Sequence, residues 1–144
     1  MEDKDIIREE YEVDGDNFTS AGEASADVKR ILRQIGLPAD MIRRVTIAMY
    51  EGEINMVIHA HGGKAYVEIA PDKIVVDLKD RGPGIPDIEL AMREGFSTAP
   101  DSIRALGFGA GMGLPNMKRY ADDIEVKSVV GVGTDVKLTF TLPA

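Results

Sequence analysis

The segment Asp80-Arg81-Gly82-Pro83-Gly84-Ile85-Pro86 places a carboxylate at the head of a loop built from two glycines and two prolines. Proline fixes φ and glycine leaves the main chain bare, so such a loop turns sharply and admits another molecule to its backbone. An acceptor-only group beside bare backbone suits the amino group of a flat ring, such as the exocyclic N6 of adenine. A second pair, Glu51 and Asn55, is spaced four residues apart, which on a helix makes the two side chains neighbours. An amide next to a carboxylate could hold a metal cation and take a proton. A third feature is Gly107-Phe108-Gly109-Ala110-Gly111-Met112-Gly113-Leu114, a glycine-rich run ahead of a short helical stretch. It could fold over a ligand, with its last amides directed at whatever lies at that helix N-terminus. Each feature also has a plain structural use: a turn, two polar residues at the edge of a buried stripe, a surface loop.

The elements that would position these groups follow from periodicity. Ile6 to Val13 alternates imperfectly as a strand and is closed by Asp14-Gly15-Asp16-Asn17. From Phe18 to Ile35 the apolar residues Ala21, Ala24, Val28, Ile31, Leu32 and Ile35 recur at helical spacing, and Gly36 is the stop. A second helix runs from Leu37-Pro38 to about Ala60, with Met41, Val45, Ala48, Gly52, Asn55 and His59 along one stripe. It carries the Glu51 and Asn55 pair. Glu53 lies close in sequence to Glu51, but a two-residue offset turns it roughly 200° round the helix, so the proton-accepting role is assigned to Glu51 alone. His59-Ala60-His61-Gly62-Gly63 ends this helix. Histidines at a glycine-capped C-terminus interact favourably with the helix dipole, and that accounts for this pair without a metal.

Strands Lys64–Ala70 and Lys73–Lys79, joined at Pro71-Asp72, form a hairpin whose second strand delivers Asp80. A short helix from Asp87 to Glu94 is expected next, then the glycine-rich lid, then a helix over about Pro115 to Tyr120. Ile124–Val130 and Thr134–Leu142 are the last two strands. This order predicts an α+β two-layer sandwich: a largely antiparallel sheet with the helices packed on one face, in a single domain over residues 1–144.

Composition narrows the function classes. At 144 residues, 44% hydrophobic and 29% charged, the chain is an ordinary globular domain with a core of useful size. The net charge of −8 argues against a nucleic-acid surface, which needs clustered Lys and Arg, and favours partners with a basic patch. A single nucleotide is still admissible, because backbone amides and a helix N-terminus can supply a local positive site. No membrane association is expected, since no apolar run approaches the length of a bilayer span. The charged opening Met1-Glu2-Asp3-Lys4-Asp5 predicts no secretory leader, and the absence of cysteine fits a cytoplasmic protein.

Several nucleotide chemistries fail on spacing. There is no Gly-x4-Gly-Lys-Ser/Thr, no Gly-x-Gly-x-x-Gly after a strand, no His-Arg-Asp with Asp-Phe-Gly, no Gly-x-Ser-x-Gly and no His-Glu-x-x-His. What remains is an ordered combination. Glu51-x3-Asn55, Asp80-x-Gly82-x-Gly84, Gly109-x-Gly111-x-Gly113-Leu114 and Gly133-Thr134 together resemble the GHKL (Bergerat-fold) ATP-binding domain shared by gyrase, the Hsp90 chaperone, histidine kinases and MutL. Within it, Glu94-Gly95-Phe96-Ser97-Thr98 and Gly111-Met112-Gly113-Leu114-Pro115-Asn116-Met117-Lys118-Arg119 look like the small bacterial serine/threonine kinases that act as anti-sigma factors or stressosome switch kinases. Of those two, the switch kinases match better.

The resemblance implies ATP and Mg2+ as cofactors and assigns roles residue by residue. Asp80 would accept from adenine N6 with Thr134 assisting, Gly82 and Gly84 would admit the base, and Ile85, Met112 and Leu114 would pack near it. Asn55 would hold Mg2+, the amides of Gly109, Gly111 and Gly113 would surround the phosphates, and Glu51 would orient or deprotonate the attacking hydroxyl. The lid from Ala99 to Phe108 is longer than the resemblance predicts, so it places no phosphate contact there; Thr98 and Arg104 are the candidates. The implied activity is ATP-dependent serine/threonine phosphorylation of a small STAS-type antagonist protein. A sigma factor, a PP2C-type phosphatase and a second copy of the chain stand as further partners. The other function class is a non-catalytic ATP-binding module that sequesters a sigma factor or activates a phosphatase.

Overall fold

The computed structural model describes residues 6–15, 21–59, 62–85, 88, 92 and 113–143. In chain order the elements are β1 (Ile7–Asp14), α1 (Glu23–Gln34), α2 (Ala39–His59), β2 (Gly62–Ile69), β3 (Lys73–Asp80), α3 (Gly113–Tyr120), β4 (Asp123–Val129) and β5 (Gly133–Thr141). The strands form one antiparallel sheet in the order β1-β2-β3-β5-β4. The helices cover one face of it, as the α+β reading predicts. β2 and β3 are the expected hairpin, closed where the amide of Ala70 donates to the carbonyl of Lys73 at 2.9 Å.

The period-2 burial of the strands explains the two layers. On β3, Ile74, Val76 and Leu78 are buried, while Lys73 and Lys79 are exposed. On β5, Val136, Leu138 and Phe140 are buried in register with them. Against this apolar face sit Val28 and Leu32 of α1, Val45 and Met49 of α2, and Leu114 and Met117 of α3. Burying each such side chain contributes about 1.5–3 kcal/mol, so one face of one sheet anchors all three helices. Tyr11 adds a polar tie between β1 and α1, its hydroxyl donating to Asp27 Oδ2 at 2.6 Å.

Two boundaries differ from the sequence expectation. The first helix begins at Glu23, not Phe18, because Gly22 has φ 100 and cannot continue a right-handed helix. Ala21 extends the apolar spacing by one turn, which is why periodicity alone overruns the start. Gly62 and Gly63, expected to close α2, instead open β2, paired with Asp14 and Val13 of β1. Of the expected helix from Asp87 to Glu94, only Ile88 and Met92 are described; the amide of Met92 donates to the carbonyl of Ile88 at 3.0 Å.

The outer face of the sheet carries a coupled pair of acids. Asp77 pairs with Lys137 and Lys79 pairs with Asp135, so the two aspartates are diagonal neighbours on β3 and β5. Oδ1 of each is buried without a hydrogen-bond donor among the described residues. Burial, then the Asp135 carboxylate alongside, pushes the Asp77 carboxyl up to about 7. Asp135, against the effect of its own burial, lies below the usual value because Asp77 and Lys79 donate to it. Lys79, Lys127 and Lys137 are the cations facing the pair. Because the folded-state pKa of Asp77 is raised, the folded chain binds a proton that the unfolded chain has already released. The associated stability is complete at low pH and is lost as pH rises through about 7. Wild-type Tm is therefore expected to fall between about pH 4 and 7 and to level off above that. In Asp77→Asn, whose amide donates at every pH, that fall should shrink by about 2–4 °C, the equivalent of roughly 1 kcal/mol. Parallel Tm profiles for the two proteins would contradict the shared proton.

Candidate functional site

Asp80 is the last residue of β3, a strand with neighbours on both sides, and its backbone is closely flanked. A Cβ on Gly63 would come within 2.1 Å of the Lys79 carbonyl oxygen, and one on Gly133 within 2.2 Å of the Asp80 carbonyl oxygen. Glycine at both positions lets β2 and β5 close on the strand end. Oδ1 of Asp80 accepts from the amide of Gly82 at 3.0 Å and from the amide of Thr134 at 2.9 Å. One carboxylate oxygen is thus committed to the fold. Oδ2 accepts no hydrogen bond from any described residue.

The loop after Asp80 is seated on the β4–β5 turn. The amide of Gly131 donates to the carbonyl of Pro83 at 2.8 Å, and a Cβ on Gly84 would lie 2.6 Å from the Val129 carbonyl oxygen. Gly82 is buried, and Ile85 packs partly buried against the core. Ser128, which the sequence analysis passed over, organises this corner. Its hydroxyl accepts from the amide of Ile85 at 2.7 Å, donates to the carbonyl of Gly133 at 3.2 Å and lies 2.9 Å from Thr134 Oγ1. Ser128 has a single O–H, so with that hydrogen on Gly133 the Thr134 hydroxyl is the donor between the two. The lone pairs of buried Thr134 then remain as acceptors, on the residue whose amide holds Asp80. The available signal was a serine at an inward position of β4, in line with Ile124 and Val126.

Glu51 and Asn55 lie on α2, both half-buried. Between them Gly52 brings α2 onto the sheet: a Cβ there would sit 2.1 Å from Leu78 Cδ1 and 3.5 Å from Met117 Sδ. Glu51 Oε1 accepts from Asn116 Nδ2 of α3 at 3.1 Å. Burial pushes the Glu51 carboxyl above the usual carboxylate range, and the Asn116 hydrogen bond partly offsets this. Glu51 Oε2 and the Asn55 amide make no hydrogen bond with another described residue.

Glu53 has the opposite fate. It is 2% exposed. Its Oε2 accepts from the amides of Gly22 at 2.8 Å and Ala24 at 3.3 Å, and its Oε1 from the amide of Ser25 at 2.7 Å. The first amides of α1, which Gly22 cannot cap with a side chain, are capped instead by a carboxylate from α2. Glu53→Ala is expected to strand three amides and to lower stability by about 3 kcal/mol. Urea unfolding at neutral pH measures this, and a loss below about 0.5 kcal/mol would show that water replaces the cap.

Of the remaining sequence-predicted residues, Gly113 opens α3 and Leu114 is buried in the core beneath it. Thr98, Arg104, Gly109, Gly111 and Met112 lie outside the described residues. Among the described residues no group of three or more His, Cys, Asp or Glu could hold a metal ion. No described helix is long and apolar enough to cross a membrane. The groups present do fit a magnesium nucleotide: Asp80 Oδ2, to which no described residue donates, suits an amino group, and the Asn55 amide, without a partner among the described residues, suits a cation that takes its other ligands from phosphate and water.

Residues 17–140 match the family model described as a histidine kinase-like ATPase domain. The chain is 34% identical over 113 residues to the serine/threonine-protein kinase RsbT of Bacillus subtilis, covering 76% of this chain and 79% of that one. It is 33% identical over 111 residues to the anti-sigma F factor of Caldanaerobacter subterraneus, covering 74% of each. Among solved structures, the RsbU and RsbW domains of a Mycobacterium tuberculosis protein superpose with a TM-score of 0.65 at 18% identity, over 96% of this chain and 34% of that longer one. The mycobacterial sensor histidine kinase MprB superposes with a TM-score of 0.56 at 19% identity, over 94% and 98% of the two chains. At these identities the superpositions speak for the fold.

Proposed function

The chain belongs to the histidine kinase-like ATPase domain family, and from that premise we propose that it is an ATP-dependent serine/threonine protein kinase acting on a separate small protein. The observation that carries this reading is the unequal use of two carboxylates on one helix. Glu53 is consumed by three backbone amides, whereas among the described residues Glu51 has a partner at one oxygen only and the neighbouring Asn55 amide has none.

In this reading Asp80 Oδ2 accepts from the adenine N6 amino group, and the Thr134 hydroxyl oxygen accepts beside it, directly or through water. The amides of Gly109, Gly111 and Gly113 meet the phosphates. Asn55 would hold Mg2+ through its amide oxygen, and the cation would supply charge neutralisation at the phosphates. Glu51 Oε2 orients the incoming serine or threonine hydroxyl and takes its proton as the hydroxyl oxygen bonds to the γ-phosphorus, the bond to the β–γ bridging oxygen breaks and ADP leaves. Positioning and charge neutralisation dominate such a transfer, so a few well-held groups suffice.

The acceptor we propose is a small antagonist domain of the STAS type, in a partner-switching circuit that ends on a sigma factor. The names of the relatives support this, one being a serine/threonine kinase and the other an anti-sigma factor. Incubation with Mg-ATP and a panel of STAS-type proteins tests it by mass spectrometry of the acceptors. Phosphoserine or phosphothreonine on at least one acceptor is expected. Absence of phosphate from every acceptor, with ATP binding intact, would favour a non-catalytic regulatory module instead.

A further inference from the structure

Glu51 owes its orientation to a residue on another element. Only Asn116, in the first half of α3, hydrogen-bonds its carboxylate among the described residues. We propose that Asn116 is a positioning residue for phosphoryl transfer, its side-chain amide fixing which oxygen of Glu51 meets the acceptor hydroxyl. The proposal rests on the kinase reading above and adds the group that aims its base.

Three features support it. A carboxylate on a helix can rotate about its last torsion, and an N–H held at one oxygen turns the other in a defined direction. The amide of Asn116 presents Nδ2 and not Oδ1 to Glu51, since two acceptors would repel. Finally, α3 is anchored without Asn116. Leu114 and Met117 are buried beneath it, the Arg44 guanidinium donates through Nε to the Tyr120 carbonyl at 3.0 Å, and Arg44 also pairs with Asp122 at 3.2 Å. Asp122 in turn accepts from the amide of Thr141 at 2.7 Å. Changing the Asn116 side chain therefore alters the contact with Glu51 while the helix stays in place.

The sharpest variant is Asn116→Asp, which keeps size and shape but removes the donor and faces Glu51 with a second carboxylate. A space-filling role predicts near-wild-type behaviour for it. The positioning role predicts that kcat falls roughly tenfold or more while KM for ATP stays within about twofold. A readout independent of activity comes from thermal unfolding of the nucleotide-free protein. Asn116→Asp should lower Tm by about 3 °C, and the double variant with Glu51→Gln, whose amide can donate back to the aspartate, should recover most of that loss. Asn116→Leu, which removes the amide without adding charge, checks the kinetic result should the aspartate variant fold poorly.

Additive Tm changes would show that the side chains do not interact, which overturns the proposal whether or not the chain is a kinase. Coupled Tm changes with unaltered kcat would overturn the positioning role alone. Coupled Tm changes in a wild-type protein that transfers no phosphate would remove the kinase reading, and the positioning role with it, while the contact itself stands.

Discussion

Replacing Glu51 with glutamine should lower phosphoryl transfer roughly 100- to 10,000-fold while leaving ATP affinity within about twofold of wild type. The size of the effect follows from how the side chain is held. Asn116 donates to Oε1, so the glutamine carbonyl must keep that position and the new NH2 group must take the place of Oε2. Where an acceptor met the incoming hydroxyl, a donor now stands. A flip of both amides would return a carbonyl oxygen to that position, but an amide carbonyl is far too weak a base to take the hydroxyl proton. Glu51 has no role in holding the nucleotide, so binding should persist. Single-turnover transfer to an acceptor protein, alongside nucleotide titration, separates the two quantities. Equal transfer rates in wild type and Glu51→Gln would remove Glu51 as the base.

The sequence was informative where the candidate site depends on local spacing and silent where it depends on long-range register. Glu51 and Asn55 share a helix, and the four-residue interval places them together whatever the sheet does. Asp80 was legible because a β-branched run ends in a carboxylate followed by Gly-x-Gly. The separation of Glu53 from Glu51 was also legible from helix geometry, but its partner was not. The Gly22, Ala24 and Ser25 amides lie about thirty positions away, as the contacts at |i−j| of 31, 29 and 28 show, and no pattern announces an acid from one helix capping another. Ser128 and Asn116 escaped for the same reason. Their hydrogen bonds to Ile85 and Glu51 span 43 and 65 positions, and each residue is an ordinary polar side chain until the β4–β5 register and the docking of α3 bring it round. The overlong first helix has a different origin, since hydrophobic spacing reports which residues face the core but carries no information about φ at Gly22.

The same two-oxygen logic governs the second large effect. Asp80 Oδ1 is fixed by the amides of Gly82 and Thr134, so an asparagine there must turn its carbonyl oxygen toward those amides and its NH2 group outward. The outward position would then offer a donor to the adenine N6 amino group, itself a donor. Affinity for ATP should fall roughly 10- to 100-fold, the cost of losing a charge-assisted hydrogen bond and opposing two donors. Inosine triphosphate carries a carbonyl at the same ring position, and that carbonyl is repelled by the wild-type carboxylate but matched by the asparagine amide. The central claim is that this carboxylate at the end of β3 reads the nucleotide base. Titration of wild type and Asp80→Asn with ATP and with inosine triphosphate, in the presence of Mg2+, tests it most directly. A preference for ATP in wild type that reverses in Asp80→Asn is the expected result, and an ATP-to-inosine triphosphate ratio identical in the two proteins would contradict it.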